Sequence, residues 1–233
     1  MNRDTVLLPA FTFASTALWG YGLLYVKPSE SAVLSYTMPL FAVPASAIIL
    51  KERPRPYELL GIALGFMGVA VYSSGIDVSP LGVVLTVANA VFWALFSVYY
   101  RKLRDYDPIA LNATQFLLGA LFFLPLLPFG LKVSDASRFA LDLAYSAILR
   151  GLVQFLLWNL MLREEKVNRV IVFVFSVPIF TTFLDVVGGG LTLTPNSVVG
   201  IVMMFLGIAV SQLGKRSPGL KETEPVTGRV KAS

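Results

Sequence analysis

The chain has 233 residues, of which 56% are hydrophobic and 14% are charged, whereas soluble domains carry roughly 45–50% apolar and about 25% charged residues. This composition excludes an ordinary water-soluble fold. The net charge of +5 does not indicate nucleic-acid binding, because the basic residues form short clusters between apolar runs, as in membrane proteins oriented by loop charge. Since the sequence has no cysteine and no histidine, disulfide frameworks, thiolate sites and histidine-based catalysis are excluded.

Apolar runs recur along almost the whole chain, and each is long enough to cross roughly 30 Å of hydrocarbon. Prolines, glycines and charged residues that end helices stand between these runs. The pattern predicts an all-α fold, a polytopic transmembrane bundle of eight helices. The eight helices are expected at residues 6–26, 32–50, 57–75, 80–100, 109–129, 139–163, 168–188 and 195–214.

The lysines and arginines fall mostly on one of the two faces that alternate along eight spans. The face with both termini takes 15 of the 19 basic residues, the opposite face takes three, and Arg150 lies within a span. Because basic loops stay in the cytoplasm, we expect a multi-pass protein of the cell membrane with both termini cytoplasmic. Residues 215–233 are polar, and we expect them to form a disordered cytoplasmic tail.

The chain also contains an internal repeat. A shift of 139 positions aligns residues 18–75 with 157–214 without a gap and gives 15 identities in 58 positions. Chance identities between apolar helices would favour Leu, Val and Ala, but tryptophan, proline and spaced glycines coincide as well. We therefore predict a partial unit of three helices in 1–78 and a complete unit of five helices in 79–214. An odd unit reverses its orientation from one copy to the next, as in inverted-repeat transporters.

Four stretches carry proline, glycine and charged residues in a characteristic order. They are residues 35–41 with Pro39, 50–53 with Glu52, 60–69 with three glycines, and 90–102. In this order they resemble the proline-bearing fourth helix, the Gly-Glu-Arg turn, the glycine-rich fifth helix and the sixth helix of the EamA family of the drug/metabolite transporter superfamily. The resemblance covers about residues 10–214 and implies an inverted repeat of five plus five helices.

Two features depart from the family pattern. Lys51 stands where the family usually has a glycine before Glu52, and Leu191 stands opposite Glu52 in the second copy. The family unit has ten helices, whereas this chain would begin at the third. Two explanations stay open, a start assigned too far downstream and a real short form.

The prolines of the second and seventh predicted helices are candidate hinges. Pro39 recurs as Pro178 at the equivalent position of the second copy, and a proline within a helix frees a carbonyl and bends the chain. Transporter sites lie near the bilayer midplane on helices that are broken or bent there. The alternative, that the bends serve packing alone, stays open because proline is frequent in membrane helices.

Arg150 is the basic residue that falls within a predicted span. An arginine near the centre of a membrane helix costs upward of ~2.5 kcal/mol on insertion scales, so it needs a compensating partner. An anionic substrate group is one candidate, since a guanidinium binds a carboxylate or phosphate through two parallel hydrogen bonds. The alternative is a structural ion pair with Asp185 or a side chain extended toward Asp142.

Further candidates for substrate binding are polar and aromatic residues on the helices expected to line a cavity. Gln154 and Trp158 follow Arg150 at four-residue spacing and share its helix face, although interhelical hydrogen bonding and packing would explain them equally well. The family resemblance implies that the third, fourth, sixth, eighth and ninth helices surround the pathway. The other candidates on these helices are Trp19, Tyr36, Asn89, Trp93 and Ser176.

These features predict a secondary-type membrane transporter, an exporter or exchanger of small metabolites such as amino-acid-like or organic-anion solutes, that works by alternating access. No Gly-x-x-x-x-Gly-Lys-Ser/Thr loop of an ATP-driven pump occurs, and we predict no enzymatic activity, metal site or cofactor. The expected partners are the lipid bilayer and a small-molecule substrate, without nucleic acid, and a homo-oligomer stays open. The alternatives are a non-transporting or assembly-dependent membrane subunit and, less favoured, an intramembrane enzyme.

Overall fold

The computed structural model describes residues 3–26, 31, 34–72, 74, 79–126, 135–187 and 194–213. Within these ranges the chain is helical and has no β-strand, which confirms the predicted all-α fold. The helices are α1 Arg3–Gly22, α2 Met38–Ile49, α3 Pro56–Tyr72, α4 Pro80–Lys102, α5 Pro108–Phe123, α6 Ala136–Glu164, α7 167–187 and α8 Pro195–Ser211. The predicted tail, 215–233, lies outside the described residues.

Each of these eight helices overlaps one of the eight predicted apolar segments, with ends that differ by up to several residues. By length and composition alone, α4 and α6 are able to cross a membrane, whereas α2, α3, α5 and α8 are apolar helices of 10–17 residues. The positions of the helices therefore agree with the sequence pattern, and the number of membrane crossings stays a prediction.

Prolines and side-chain caps begin most of the helices. The first residue of α3, α4, α5 and α8 is a proline, which loses nothing there because the first N–H groups of a helix have no intrahelical partner. Asp107 Oδ1 accepts a hydrogen bond from Ala110 N at 2.8 Å at the start of α5, and Thr194 Oγ1 accepts one from Ser197 N at 3.2 Å at the start of α8. These local signals explain why the helix starts can be read from the sequence.

Two helices change geometry at equivalent positions of the two copies. A turn that includes Tyr36 precedes α2, so Pro39 lies in the first turn of that helix. In α7 the 3-10 helix Ile171–Phe175 precedes the α-helix Ser176–Val187, which contains Pro178. Both copies thus interrupt the regular helix just ahead of the proline. Pro39 lies in the first turn of α2, where a proline removes no intrahelical hydrogen bond, and its role as a hinge stays a prediction.

The helix α4 lies at the centre of the bundle. It packs against α1 and α2 and reaches α6, while α5 packs on α1 and α6. Ala94, Phe96 and Tyr100 of α4 are completely buried, and Ala90 is nearly so. The small side chains of the two alanines let the neighbouring backbones come close to α4. This central position brings polar residues of α4 next to α1, α2 and α6.

The helices α3 and α8 pack against each other through glycines. A Cβ atom added at Gly61 would lie 2.5 Å from the carbonyl oxygen of Gly207, and one added at Gly207 would lie 2.6 Å from that of Gly61. Gly68 and Gly200 face each other in the same way, at 2.7 Å in both directions. The 139-residue offset maps Gly61 onto Gly200 and Gly68 onto Gly207, so each of the two contacts is the equivalent of the other in the repeat. We call this pair of contacts the glycine seam.

Two ion pairs, each with one buried member, lie where α4 ends and α3 and α7 begin. Glu52 pairs with Arg101 at 3.4 Å and also accepts a hydrogen bond from the backbone N–H of Val167 at 3.2 Å. Glu58, completely buried in the first turn of α3, pairs with Arg169 of α7 at 3.3 Å. Both acidic residues therefore tie the first copy to the beginning of α7 in the second copy.

Candidate functional site

Two adjoining cavities lie between α1, the start of α2, α4, α6 and α7. The larger has a volume of about 530 Å³ and the smaller a volume of about 490 Å³. They share the side chains of Trp93, Gln154, Val174 and Val177, which form the boundary between them. Both volumes lie within the roughly 300–1,000 Å³ that is typical of small-molecule sites.

The cavities bring together seven of the residues predicted to bind substrate. The five in the larger cavity are Trp19, Tyr36, Asn89, Trp93 and Gln154. The smaller cavity adds Trp158 and Ser176. These residues come from five different helical segments, so their proximity is a result of the tertiary fold. Their part in binding stays a prediction.

Arg150 lies in an irregular stretch of α6. Residues Ser146–Gln154 form a π-helix between two α-helical stretches, and π-helical turns occur frequently at functional sites. Ser146 and Gln154, four residues to either side of Arg150, both line the larger cavity. The side chain of Arg150 lies outside the described residues, as do those of Asp185 and of Pro178, while Asp142 is exposed.

A chain of hydrogen bonds crosses the wall of the larger cavity. Ser15 Oγ on α1 donates to Asn89 Oδ1 on α4 at 2.6 Å, and Asn89 Nδ2 donates to Ser35 Oγ at 3.3 Å. Ser35 Oγ donates in turn to the carbonyl oxygen of Ser31 at 2.8 Å. The bonds connect α1, α4 and the segment before α2, and they hold the amide of Asn89 in one orientation at the cavity wall.

Aromatic rings support the boundary between the two cavities. The ring centroid of Trp93 lies 5.1 Å from that of Phe96 and 5.3 Å from that of Phe155, the second pair edge to face. The buried Nε1 of Trp158 has no hydrogen-bond partner among the described residues. A buried donor without a partner is costly, so this indole N–H is an unsatisfied polar group in the wall of the smaller cavity.

The larger cavity also contains polar residues that were not predicted from the sequence. These are Ser15, Thr16, Ser35 and Ser146. A signal for Ser15 was present, because Ser15 precedes Trp19 by four residues. The same spacing joins two pairs that the sequence pattern already indicated, Asn89 with Trp93 and Gln154 with Trp158. A polar residue one helical turn before a tryptophan thus marks each of three cavity helices.

No charged side chain lines either cavity among the residues that the structure describes. The walls combine hydroxyl, amide and indole groups with apolar side chains. Such walls can hold a ligand through hydrogen bonds and aromatic contacts, whereas the ion pairs of the bundle lie at the ends of its helices.

The fold and the cavities define a class, an all-helical protein whose bundle encloses two cavities with the volume of small-molecule sites. The chain belongs to the EamA-like transporter family, which matches residues 4–74 and 80–212. This match confirms the resemblance drawn from the sequence and identifies a membrane protein of the drug/metabolite transporter type.

Relatives of the chain carry transporter names. An uncharacterized transporter in the sor 3′ region of Acidianus ambivalens is 48% identical over 231 residues, which cover 98% of this chain and 90% of the relative. A probable amino-acid metabolite efflux pump of Salmonella typhimurium is 26% identical over 263 residues, with 96% and 86% covered. A crystal structure with a TM-score of 0.76 and 24% identity covers 87% of this chain and 74% of its own, and it shows the same fold.

Proposed function

We propose that the protein is a secondary-type transporter, an exporter or exchanger, of small metabolites that are amino-acid-like or organic anions. The observation that carries the proposal is the pair of adjoining cavities, to which helices of both copies contribute. Membership in the EamA-like transporter family supports transport as the activity. The relative from Salmonella typhimurium, named a probable amino-acid metabolite efflux pump, supports metabolites as the substrates.

The glycine seam supports alternating access between two inverted copies. When a pseudo-two-fold axis in the membrane plane relates two copies, rotation about it maps each contact between the copies onto an equivalent contact. The contact of Gly61 with Gly207 and that of Gly68 with Gly200 are exchanged in this way by the 139-residue offset. Two such copies can interchange their conformations, which would open the cavities to one side of the membrane and then to the other.

The eight helices would cross the cell membrane with both termini in the cytoplasm, and single cysteines can test this topology. Since the sequence has no cysteine, each introduced thiol is a unique reporter. We expect Arg53→Cys, before α3, to be protected from a membrane-impermeant maleimide in intact cells, and Ser74→Cys, beyond α3, to react. The reverse pattern would refute the orientation. Two reactive or two protected thiols would refute the crossing by α3.

Transport by purified protein in proteoliposomes tests the activity itself. Uptake and efflux are measured for amino acids, organic anions and sugar phosphates, with protein-free liposomes as the background. We expect saturable transport of at least one of these classes, because the cavities have the volume of small-molecule sites. Folded, monodisperse protein that transports none of them would refute the proposal.

The variant Arg150→Ala separates a binding role from a structural role. If Arg150 binds an anionic group, the variant loses anionic substrates and keeps neutral ones. Arg104→Ala is the matched control, because the Arg104 side chain is half exposed and lies 3.8 Å from Asp105. Equal loss of anionic and neutral substrates in Arg150→Ala, with normal transport by Arg104→Ala, would make Arg150 structural.

A second candidate function is that of an assembly-dependent membrane subunit, and the exposure of α6 favours it. Every side chain of Ala136–Tyr145 is exposed, although α6 is long and apolar enough to cross a membrane. An exposed helix face of this size is suited to packing against another copy or another membrane protein. Blue native electrophoresis combined with the transport assay discriminates the two candidates, since a monomer that transports excludes this one.

A further inference from the structure

The hydrogen bonds around Asn89 fix the positions of their protons. The carbonyl oxygen of Ser31 has no proton to give, so the hydroxyl proton of Ser35 is committed to it. The bond between Asn89 and Ser35 must then be donated by Asn89, which turns Nδ2 toward Ser35 and Oδ1 toward Ser15. Ser15 donates its own proton to that Oδ1. The two ends of an asparagine amide are easily confused, but here the neighbours distinguish them.

This arrangement leaves Ser15, Asn89 and Ser35, which we call the Asn89 cluster, rich in hydrogen-bond acceptors. Both serine protons are used, and so is one of the two amide protons of Asn89. Lone pairs remain on Ser15 Oγ, Ser35 Oγ and Asn89 Oδ1, whereas the second amide N–H is the one donor left in the cluster. A ligand group that brings several N–H donors therefore complements these three residues better than a carboxylate or phosphate, which brings acceptors.

The surroundings of the cluster also suit a cation. Trp19 and Trp93 line the same cavity, and the face of an indole ring attracts a cation that lies within about 6 Å of it. The α6 wall of this cavity includes the hydroxyl of Ser146 and the amide of Gln154, and both groups can donate a hydrogen bond to a carboxylate. A zwitterion can thus place its ammonium group at the cluster and its carboxylate toward α6.

We propose that Ser15, Asn89 and Ser35 form the subsite for the ammonium group of the transported molecule. The substrate is accordingly an amino-acid-like compound or another primary amine, and not a purely anionic metabolite. The inference rests on the proposed transport function and adds the chemical group that the site selects. The apolar part of the substrate extends past Trp93 into the smaller cavity, whose wall is made largely of apolar side chains such as Leu149, Val153 and Phe173.

Tryptophan fluorescence measures binding at this site directly, because the three tryptophans of the chain, Trp19, Trp93 and Trp158, all line the two cavities. Purified protein in nanodiscs is titrated with L-leucine, L-leucinamide, N-acetyl-L-leucine and N,N,N-trimethyl-L-leucine. These compounds share the side chain and differ in the ammonium or the carboxylate group. We expect leucine to bind at least about tenfold more tightly than its trimethylated form, which keeps the positive charge but has no N–H to donate.

The variant Asn89→Leu tests the cluster with a side chain of similar size that forms no hydrogen bond. We expect it to lose at least about tenfold in affinity for leucine and leucinamide and less than about twofold for N-acetyl-leucine. Asn196→Leu is the matched control, because Asn196 is exposed on α8, bonds to Ser74 Oγ at 3.0 Å and lines neither cavity. Ser15→Ala is a milder second variant, for which we expect a loss of about threefold with the same two ligands.

Several results would overturn the ammonium subsite. Equal weakening of all four compounds in Asn89→Leu and Ser15→Ala would make the cluster a structural clamp between helices. Tighter binding of N-acetyl-leucine than of leucinamide to the wild type would also refute it. A different result refutes the proposed transport function, namely proteoliposomes that transport none of the tested compounds. Anion transport that Asn89→Leu leaves unchanged would keep the transporter and refute the subsite.

Discussion

The glycine seam between α3 and α8 makes a prediction that can be worked out in numbers. The methyl group added by Gly61→Ala would lie 2.5 Å from the carbonyl oxygen of Gly207 and 2.6 Å from Cβ of Ser211. The one added by Gly200→Ala would lie 2.7 Å from the carbonyl oxygen of Gly68. Ordinary contact begins at 3.4 Å, so the two backbones must separate by roughly 0.9 Å in the first variant and roughly 0.7 Å in the second.

The atoms in the way belong mainly to backbone, so no flexible side chain can rotate aside. Overpacking of this kind costs about 1–3 kcal/mol, while exchange of a helical glycine for alanine gains about 1 kcal/mol in helix propensity. An added Cβ at Gly20 or Gly119 meets nothing within 4 Å, so these sites carry the gain without the clash. Seam and control variants should differ by about 1–3 kcal/mol, or roughly 2–12 °C in Tm for a chain of this size.

The four glycine-to-alanine variants are compared by size-exclusion chromatography after heating in one detergent. We expect Gly61→Ala and Gly200→Ala to melt below both controls and to lose similar amounts, because the 139-residue offset relates the two sites. A seam variant that melts within about 1 °C of Gly119→Ala would refute the packing argument. A large loss at Gly61 with none at Gly200 would refute the equivalence of the two copies.

Three further predictions use the same melting assay. Arg169→Gln should lower the free energy of unfolding by up to about 3–5 kcal/mol, because it removes the arginine paired with the buried Glu58. Adding Glu58→Gln should recover part of that loss. Purely additive losses would show that the two residues are not coupled. Lys51→Gly should stabilise by about 1 kcal/mol, since Lys51 has a φ of 56° that glycine adopts without strain, and Lys51→Ala should not. Asn159→Leu should destabilise by about 1–3 kcal/mol, because Asn159 Nδ2 donates to Asn112 Oδ1 at 2.5 Å in buried surroundings. Asn112→Leu should then cost less in the Asn159→Leu background than in the wild type.

The helices could be located from the sequence because their signals are local. Apolar runs mark the helix bodies, and prolines such as Pro80 and Pro108 mark their starts. The π-helix Ser146–Gln154 could not be predicted, since it contains neither a proline nor paired glycines that would mark an irregular stretch. The turn at Tyr36, which places the start of α2 at Met38, was not predicted from the sequence either, and the hinge at Pro39 stays a prediction.

The cavity residues were only partly predictable, and the difference lies in how unusual each residue is within an apolar helix. Asn89 and Gln154 are conspicuous there, and each stands four residues before a tryptophan. Ser15 and Ser35 were not predicted because serine is common at helix interfaces for packing alone. Their proposed role depends on the amide of Asn89 lying between them, which is a property of the tertiary structure.

The backbone at Lys51 explains one departure from the family pattern. The resemblance implies a glycine at this position, and the structure gives Lys51 a φ of 56°, the left-handed conformation in which helices commonly end on glycine. The sequence shows that a lysine stands in place of the glycine, and the backbone angle shows why this lysine costs conformational free energy.

Among the described residues, ion pairs and the neutral polar groups of the cavity walls lie in different parts of the bundle. Glu58 is buried in the first turn of α3 beside Arg169, and the partly buried Glu52 lies beside Arg101, because a charge removed from water requires a partner. The described cavity walls contain hydroxyl, amide and indole groups. Removing such neutral groups from water costs less free energy than removing a charged group. A substrate that brings its own charge can therefore depart without leaving an unpaired charge on these walls. Tyr36, in the turn before α2, also lies in the cavity wall. The interruption of the regular helix ahead of Pro39 therefore lies at the proposed site, whereas the glycine seam joins the two copies elsewhere, between α3 and α8.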